Sequence, residues 1–254
     1  EVEKDRRNPL LDVTFDGEHI FDGDLVSAEP EVLIQLRDEN PFLPIADSTA
    51  FQLLLKEPDG NLRRLYFSDP ELSFMPATAE DNRARVRWTP RFEKDGEYSL
   101  YIAAEDASGN QSGQLNYVLS QSEFGYDFEQ RFRVITSASL SNVLNYPNPF
   151  STQTYFVYTL TGSEAPADFR LQIYTVSGRL VRELTQAELG PLRVGTHRTD
   201  LPWDGTDSYG DPLANGVYLY RILAKDAEGK ELDFFPTGAD AYFSQGFGKM
   251  VLIR

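Results

Sequence analysis

Among its 254 residues the chain has no cysteine and only two histidines. The missing thiols exclude disulfides, thiolate nucleophiles and Cys-based zinc sites. A Ser-His-Asp triad would need His19 or His197 beside a serine and an aspartate. His19 stands among Asp16, Glu18 and Asp22, and His197 lies in Gly195-Thr196-His197-Arg198. Neither has a nucleophile-elbow context, and no G-x-S-x-G, Walker loop or G-x-G-x-x-G occurs. Both histidines are therefore read as surface or hydrogen-bonded side chains. No run approaches the ~18 apolar residues of a membrane span. Residues Glu1–Arg7 contain no apolar signal core. An exported form would carry its signal upstream, so the chain reads as the C-terminal part of a longer protein.

Basic residues are scarce: 24 Lys and Arg stand against 40 Asp and Glu, a net charge of −16. The excess is concentrated in residues 1–137, which hold 27 acids against 14 bases. Such a surface repels phosphate backbones and anionic lipid, so no nucleic-acid or membrane partner is expected.

What is present is strand-forming. Hydrophobic residues make up 41% and aromatics 13%, including 13 Tyr and 17 Phe. The length fits two domains. In 1–137, alternating Leu11/Val13/Phe15 and Val32/Ile34/Leu36 predict strands. So do 51–56, 62–67, 72–75, 84–88, 97–104, 114–119 and 128–135, and the turn Pro58-Asp59-Gly60-Asn61 joins two of them. The small, polar, uncharged stretch 136–144 is read as the junction. Strands are predicted again at 155–160, 170–175, 179–184, 217–224 and 249–253, with one helical turn at 185–189 closed by Gly190. Residues 234–247 read as an aromatic- and Gly-rich insertion that packs back on the second domain. The expected fold class is all-β: two tandem immunoglobulin-like β-sandwiches, 1–137 and 138–254.

The Asp-rich loops are the best candidates for a ligand. Asp22 and Asp24 flank Gly23, and Asp38-Glu39 follows a strand; together they form a candidate calcium set. Asp204, Asp207 and Asp211 form a second cluster without EF-hand spacing. The competing reading for both is turn chemistry, in which Asp side chains bond their own backbone; it is the weightier reading. No cofactor other than calcium is expected. Trp88 with Tyr98 or Tyr101 would make a sugar platform, but their place in alternating strands favours core packing.

Asp95-Gly96-Glu97-Tyr98 and the strand after it resemble the tyrosine corner of immunoglobulin-like domains, with Tyr98 as the corner residue. The stretch Trp203-Asp204-Gly205-Thr206-Asp207-Ser208-Tyr209-Gly210, followed by Gly216-Val217-Tyr218, resembles the FlgD-type immunoglobulin-like module. Four features are similar to the C-terminal sorting domains of the bacterial type IX secretion system. They are Tyr146-Pro147-Asn148-Pro149, the run Ile173–Val181, Gly216–Tyr218, and the basic-apolar end Lys249–Arg254. The pairing of this end with Asn8–Ser27 resembles the C-terminal region of Bacteroidota surface proteins of the gingipain-like cysteine peptidase kind.

The resemblance implies a secreted, cell-surface protein whose catalytic domain, if it has one, lies upstream, and no catalysis in this chain. It implies a spacer in 1–137 and a sorting module in 138–254. The sorting residues it implies are Tyr146, Pro147, Asn148, Pro149, Gly216, Tyr218, Lys249 and Arg254. The partners it implies are the type IX translocon or attachment machinery, an upstream peptidase domain, or neighbouring surface subunits. Three alternatives stay open: an adhesion or carbohydrate-binding module, domains that only brace an upstream peptidase, and a subunit of a surface assembly.

Overall fold

Among the described residues five turns share one hydrogen-bond pattern, and each places a glycine where only glycine is comfortable. They are 57–61, 106–110, 175–179, 207–211 and 226–230. In each, the first residue donates its N–H to the carbonyl of the fifth and accepts from the N–H of the glycine at the fourth position. Those glycines (60, 109, 178, 210 and 229) have φ of 81–87°, the left-handed region that side chains disfavour. Two of the turns, 57–61 and 175–179, close hairpins between neighbouring strands, and the other three are flanked by single antiparallel bridges.

The computed structural model of the chain describes residues 5–112, 126–234 and 246–254. The expected strand at 114–119 and most of the 234–247 insertion lie outside the described residues. The chain divides into two units, Glu1–Ile135 and Thr136–Arg254. Both are immunoglobulin-like sandwiches of antiparallel-rich sheets.

In the first unit one sheet has the order β1-β3-β7-β6: Leu10–Phe15, Val32–Arg37, Arg83–Trp88 and Leu72–Met75. The other has the order β2-β9-β8-β4-β5: Asp24–Val26, Phe128–Val134, Gly96–Ala104, Phe51–Lys56 and Leu62–Leu65. Period-two alternation fills the space between the sheets: Val32, Ile34 and Leu36 point inward from β3, and Ala84, Val86 and Trp88 from β7. Trp88, Phe92, Tyr98 and Phe132 form a chain of rings with neighbouring centroids 4.6–5.9 Å apart. Tyr98 donates its hydroxyl to Lys94 O at 2.8 Å. This is the corner geometry, which lets a buried phenol keep a partner.

In the second unit one sheet runs β14-β11-β10-β16: Gly195–Arg198, Tyr155–Thr161, Ser139–Tyr146 and Asp233–Phe234. The other runs β13-β12-β15-β17: Leu180–Leu184, Asp168–Thr175, Gly216–Lys225 and Gly248–Leu252. A single helical turn, α1 (Gln186–Leu189), starts at Thr185, whose amide and hydroxyl both donate to Glu188, and it ends at Gly190.

The two units divide at the start of the expected junction 136–144, but most of that stretch is β10, a strand its composition does not announce. Ser139 and Ser141 are buried, and Ser139 is partnered. Ser139 Oγ lies 2.8 Å from Thr161 Oγ1 on the next strand, and Thr161 Oγ1 also donates to Ser137 O. A bulge between Ser141 and Leu144, with Asn142 at φ 50°, shifts the register within the strand.

Candidate functional site

Three of the motif segments of the second unit, far apart in sequence, converge on β17; the fourth, Ile173–Val181, forms the β12–β13 hairpin, which pairs with β15 instead. Gly216, Val217 and Tyr218 of β15 pair antiparallel with Leu252, Val251 and Met250. On the other side of β17 the Tyr146–Phe150 segment runs alongside it. Asn148 donates Nδ2 to Lys249 O and accepts from Val251 N, both at 3.0 Å. Phe150 N donates to Val251 O at 3.0 Å, and Ile253 N to Phe150 O at 2.8 Å. One asparagine side chain thus replaces the backbone partner that two prolines remove. The loop is closed from below by Thr154, which donates to Pro147 O at 2.8 Å and accepts from Asn145 Nδ2 at 3.1 Å.

The Trp203–Gly210 segment holds the far end of the strand. Trp203 is buried and donates Nε1 to Thr206 O at 2.9 Å, and its ring lies 5.6 Å from Phe150 and 6.2 Å from Tyr218. Asp204 Oδ1 accepts from both the amide and the hydroxyl of Thr206. Gly205 has φ of 77°, and a Cβ there would sit 2.9 Å from Arg254 Nη2 and 3.2 Å from Leu252 Cδ2. Arg254 donates its guanidinium to Asp204 O. The side chain of Asn215 bonds both the N–H and the C=O of Arg254, at 2.7 and 3.0 Å.

The expected sorting residues therefore separate into two kinds. Tyr146, Pro147, Asn148, Pro149, Gly216, Lys249 and Arg254 are exposed, and Tyr146 keeps 70% of its surface. Tyr218 is buried and donates its hydroxyl to Ala214 O at 2.7 Å. It is a second corner tyrosine, built like Tyr98 with the acceptor four residues upstream, so its ring is unavailable as a recognition contact. Its pattern, tyrosine after a glycine at the start of a long strand, was visible in the sequence.

Burial also explains the aromatic candidates. Trp88 and Tyr98 are 3% exposed or less and belong to the core of the first unit, while Tyr101, 2% exposed, lies on the opposite face of β8 from Leu100 and Ile102 with its ring 6.1 Å from that of Tyr126, so the three make no joint sugar platform. His19 bonds Asp12 at 2.7 Å, and His197 lies in β14, with Nε2 3.1 Å from Val194 O.

The four residues expected to hold calcium are not brought together. Asp22 receives two hydrogen bonds from the Arg131 guanidinium, at 2.8 and 3.1 Å. Asp24 accepts from Phe21 N at 2.8 Å, three residues upstream, and its own N–H returns to Phe21 O, so it closes its own turn. Glu39 pairs with Arg7. Only Asp38 joins a carboxylate group, and its companions are Asp5 and Asp106. These three acids each place an oxygen within 4.8 Å of the others, the one such group of three among the described residues. Asp204, Asp207 and Asp211 are turn residues: Asp207 Oδ1 accepts from Tyr209 N and Asp211 N at 2.8 and 3.0 Å.

Asp38 and Asp106 are buried, and Asp5 is half-buried. Burial pushes the Asp38 carboxyl up; the amides of Asn40 and Glu39 oppose this, and the charges of Asp106 and Asp5 add to it. Asp5 is held low, chiefly by the Arg7 amide and then by the Asn40 side chain.

No protein-family model matches the chain, and no curated protein matches it. Solved structures do show likenesses. The dimeric latent PorU of Porphyromonas gingivalis is similar at 18% identity and a TM-score of 0.37, over 100% of this chain and 21% of that one. The chain thus spans about a fifth of the PorU length. The FN1–FN3 domains of chicken CNTN1 are similar at 10% identity and a TM-score of 0.23, over 97% of this chain and 67% of that one. The BSP domain of a biofilm-associated protein is similar at 8% identity and a TM-score of 0.26, over 100% of this chain and 52% of that one. Among the described residues no helix is long and apolar enough to cross a membrane.

Proposed function

We propose that residues 136–254 form a folded sorting and attachment module of a secreted bacterial surface protein, read by type IX secretion machinery. Residues 1–135 act as a spacer, and catalysis belongs elsewhere. One observation carries this reading. Two of the segments that resemble sorting domains fasten the terminal strand, which is itself a third: Asn148 bonds Lys249 and Val251, and Gly216–Tyr218 pairs with Met250–Leu252, while Asp204 of the FlgD-type stretch and the neighbouring Asn215 hold Arg254. A signal built this way is a surface displayed by a fold, with Tyr146 and Lys249 on the outside of the junction.

The test must separate the signal from the fold that carries it. Deleting Gly248–Arg254 removes Met250 and Leu252, both fully buried, so lost export of that truncation follows from unfolding as readily as from a lost signal. The informative variant is Tyr146→Ala with Lys249→Ala, expressed in a host with this secretion system. The expected result is sharply reduced export with an unchanged melting temperature. Normal export and surface attachment of that double variant would overturn the reading.

A further inference from the structure

Three loops at one end of the first unit bring their acids together. Asp5 precedes β1, Asp38 follows β3 and Asp106 follows β8. The antiparallel register of β1 and β3, with Leu10 opposite Arg37, places the first two at the same end of their sheet. Each of the three carboxylates offers an oxygen within 4.8 Å of the other two. Two asparagines complete the ring: Asn40 Nδ2 donates to Asp5 Oδ2 at 2.8 Å, and Asn110 Nδ2 to Asp106 Oδ2 at 2.7 Å.

Part of this arrangement is ordinary turn chemistry. Asp106 Oδ1 accepts from Ser108 N and Asn110 N, as its counterpart Asp207 does in another turn. Asp38 is different. It is 6% exposed, its Oδ1 has no hydrogen-bond partner and its Oδ2 takes a long 3.3 Å contact from Asn82, and the nearby amides of Asn40 and Glu39 offset its burial only in part. A buried carboxylate oxygen without a donor, beside two further carboxylates, is a costly arrangement in the absence of a counter-charge. Arg7 is directed to Glu39 on the rim rather than to Asp38 or Asp106.

We propose that Asp5, Asp38 and Asp106 bind one calcium ion, which ties the segment before β1 to the loops after β3 and β8. The donor set is all oxygen with no imidazole or thiolate, the preference of a hard cation. Turning the Asn110 amide by half a revolution presents its oxygen to the Asp106 side of the group, and water would supply the rest of the six to eight ligands that calcium takes, while Asn40 stays in place because its Oδ1 accepts from Phe42 N at 3.0 Å. Magnesium needs near-ideal octahedral geometry with shorter bonds and fits three irregular loops less well.

The experiment is calorimetric titration of the EDTA-stripped chain with calcium chloride, with magnesium chloride as the comparison, together with melting of the first unit in EDTA and in calcium. Sites in extracellular modules have Kd of about 10⁻⁴–10⁻³ M. The expected result is one calcium per chain in that range, a rise in melting temperature of about 5 °C at ~10 mM calcium, and a weaker effect of magnesium. Asp38→Asn keeps the shape of the side chain and removes its charge. It is expected to fold in EDTA and to lose the calcium response by tenfold or more in affinity. Asp5→Asn, at the half-buried edge, is the second variant and is expected to behave likewise. Absence of calcium heat and of any calcium-dependent melting shift in the unsubstituted chain would overturn the proposal. So would an undiminished response in both variants.

Discussion

Leu252→Ala is the perturbation that most directly tests whether β17 is part of the core of the second unit. Leu252 is 0% exposed, as is Met250, whereas Ile253 beside it keeps 52% of its surface. Removing a fully buried leucine side chain costs about 2–5 kcal/mol, the upper part of the range applying where the site cannot collapse. Here the pairing of Gly216–Tyr220 with 248–252 and the bonds from Phe150 hold the backbone in place, so a loss of about 3 kcal/mol is expected. With an urea m-value of about 1.5 kcal/mol/M for a unit of this size, the midpoint falls by roughly 2 M. Peptide-resolved hydrogen exchange along the urea series assigns the transition to one unit or the other. The midpoint for 136–254 is expected to fall while that for 1–135 stays in place, and Ile253→Ala is expected to move either by less than about 0.5 kcal/mol. Equal, small shifts for Leu252→Ala and Ile253→Ala would refute the reasoning, because they would mean that the strand's inward face carries no packing.

Three further outcomes follow from single contacts. Tyr98→Phe and Tyr218→Phe each remove one buried hydroxyl bond, to Lys94 O and Ala214 O, and each is expected to lower the stability of its own unit by about 1 kcal/mol in urea denaturation. Gly205→Ala combines a φ of 77° with a Cβ 2.9 Å from Arg254 Nη2; it should cost about 1–2 kcal/mol and speed amide exchange at Leu252 and Arg254. Tyr158 is held up at about 12 by burial, with the Asp200 charge acting in the same direction. Below pH 10 both folded and unfolded chains keep that proton; from pH 10 to about 12 only the unfolded chain loses it, so the stability of the second unit falls across that window. Tyr158→Phe should flatten this part of the alkaline unfolding curve, and an unchanged curve would show that other groups govern it.

Much of the architecture was legible because it rests on period-two alternation and on turn residues. Val32/Ile34/Leu36, the Pro58–Asn61 turn and Tyr98 with its corner bond are of that kind. What escaped was structure held by polar groups or by distance. β10 carries no strand signal because its inward residues include Ser139 and Ser141, and because the bulge at Ser141/Leu144 breaks the alternation; the threonine that partners Ser139 lies on β11. β14 is short, and its four residues, Gly-Thr-His-Arg, carry no apolar pattern. The acidic group was half visible: Asp38 stood out as an acid after a strand, but nothing local joins it to Asp5 or Asp106, because their proximity is made by the sheet register. The terminal strand was recognisable from its composition, while its fastening to Asn148 was not, since a side chain spanning 101 and 103 residues of sequence leaves no local trace.

The meeting of Phe150 with Val251 also has a kinetic meaning. Local hairpins such as 168–184, closed by the turn at 175–179, join neighbours and form on the microsecond scale. The contact between Phe150 and β17 must bring together two ends of a long intervening segment, and the entropy of that closure is lost before the bonds are gained. The second unit is therefore expected to assemble its central hairpins first and to seat its terminal strand last. Until that step the strand's backbone edge is unpaired, so anything that grips β17 before it docks competes with folding itself.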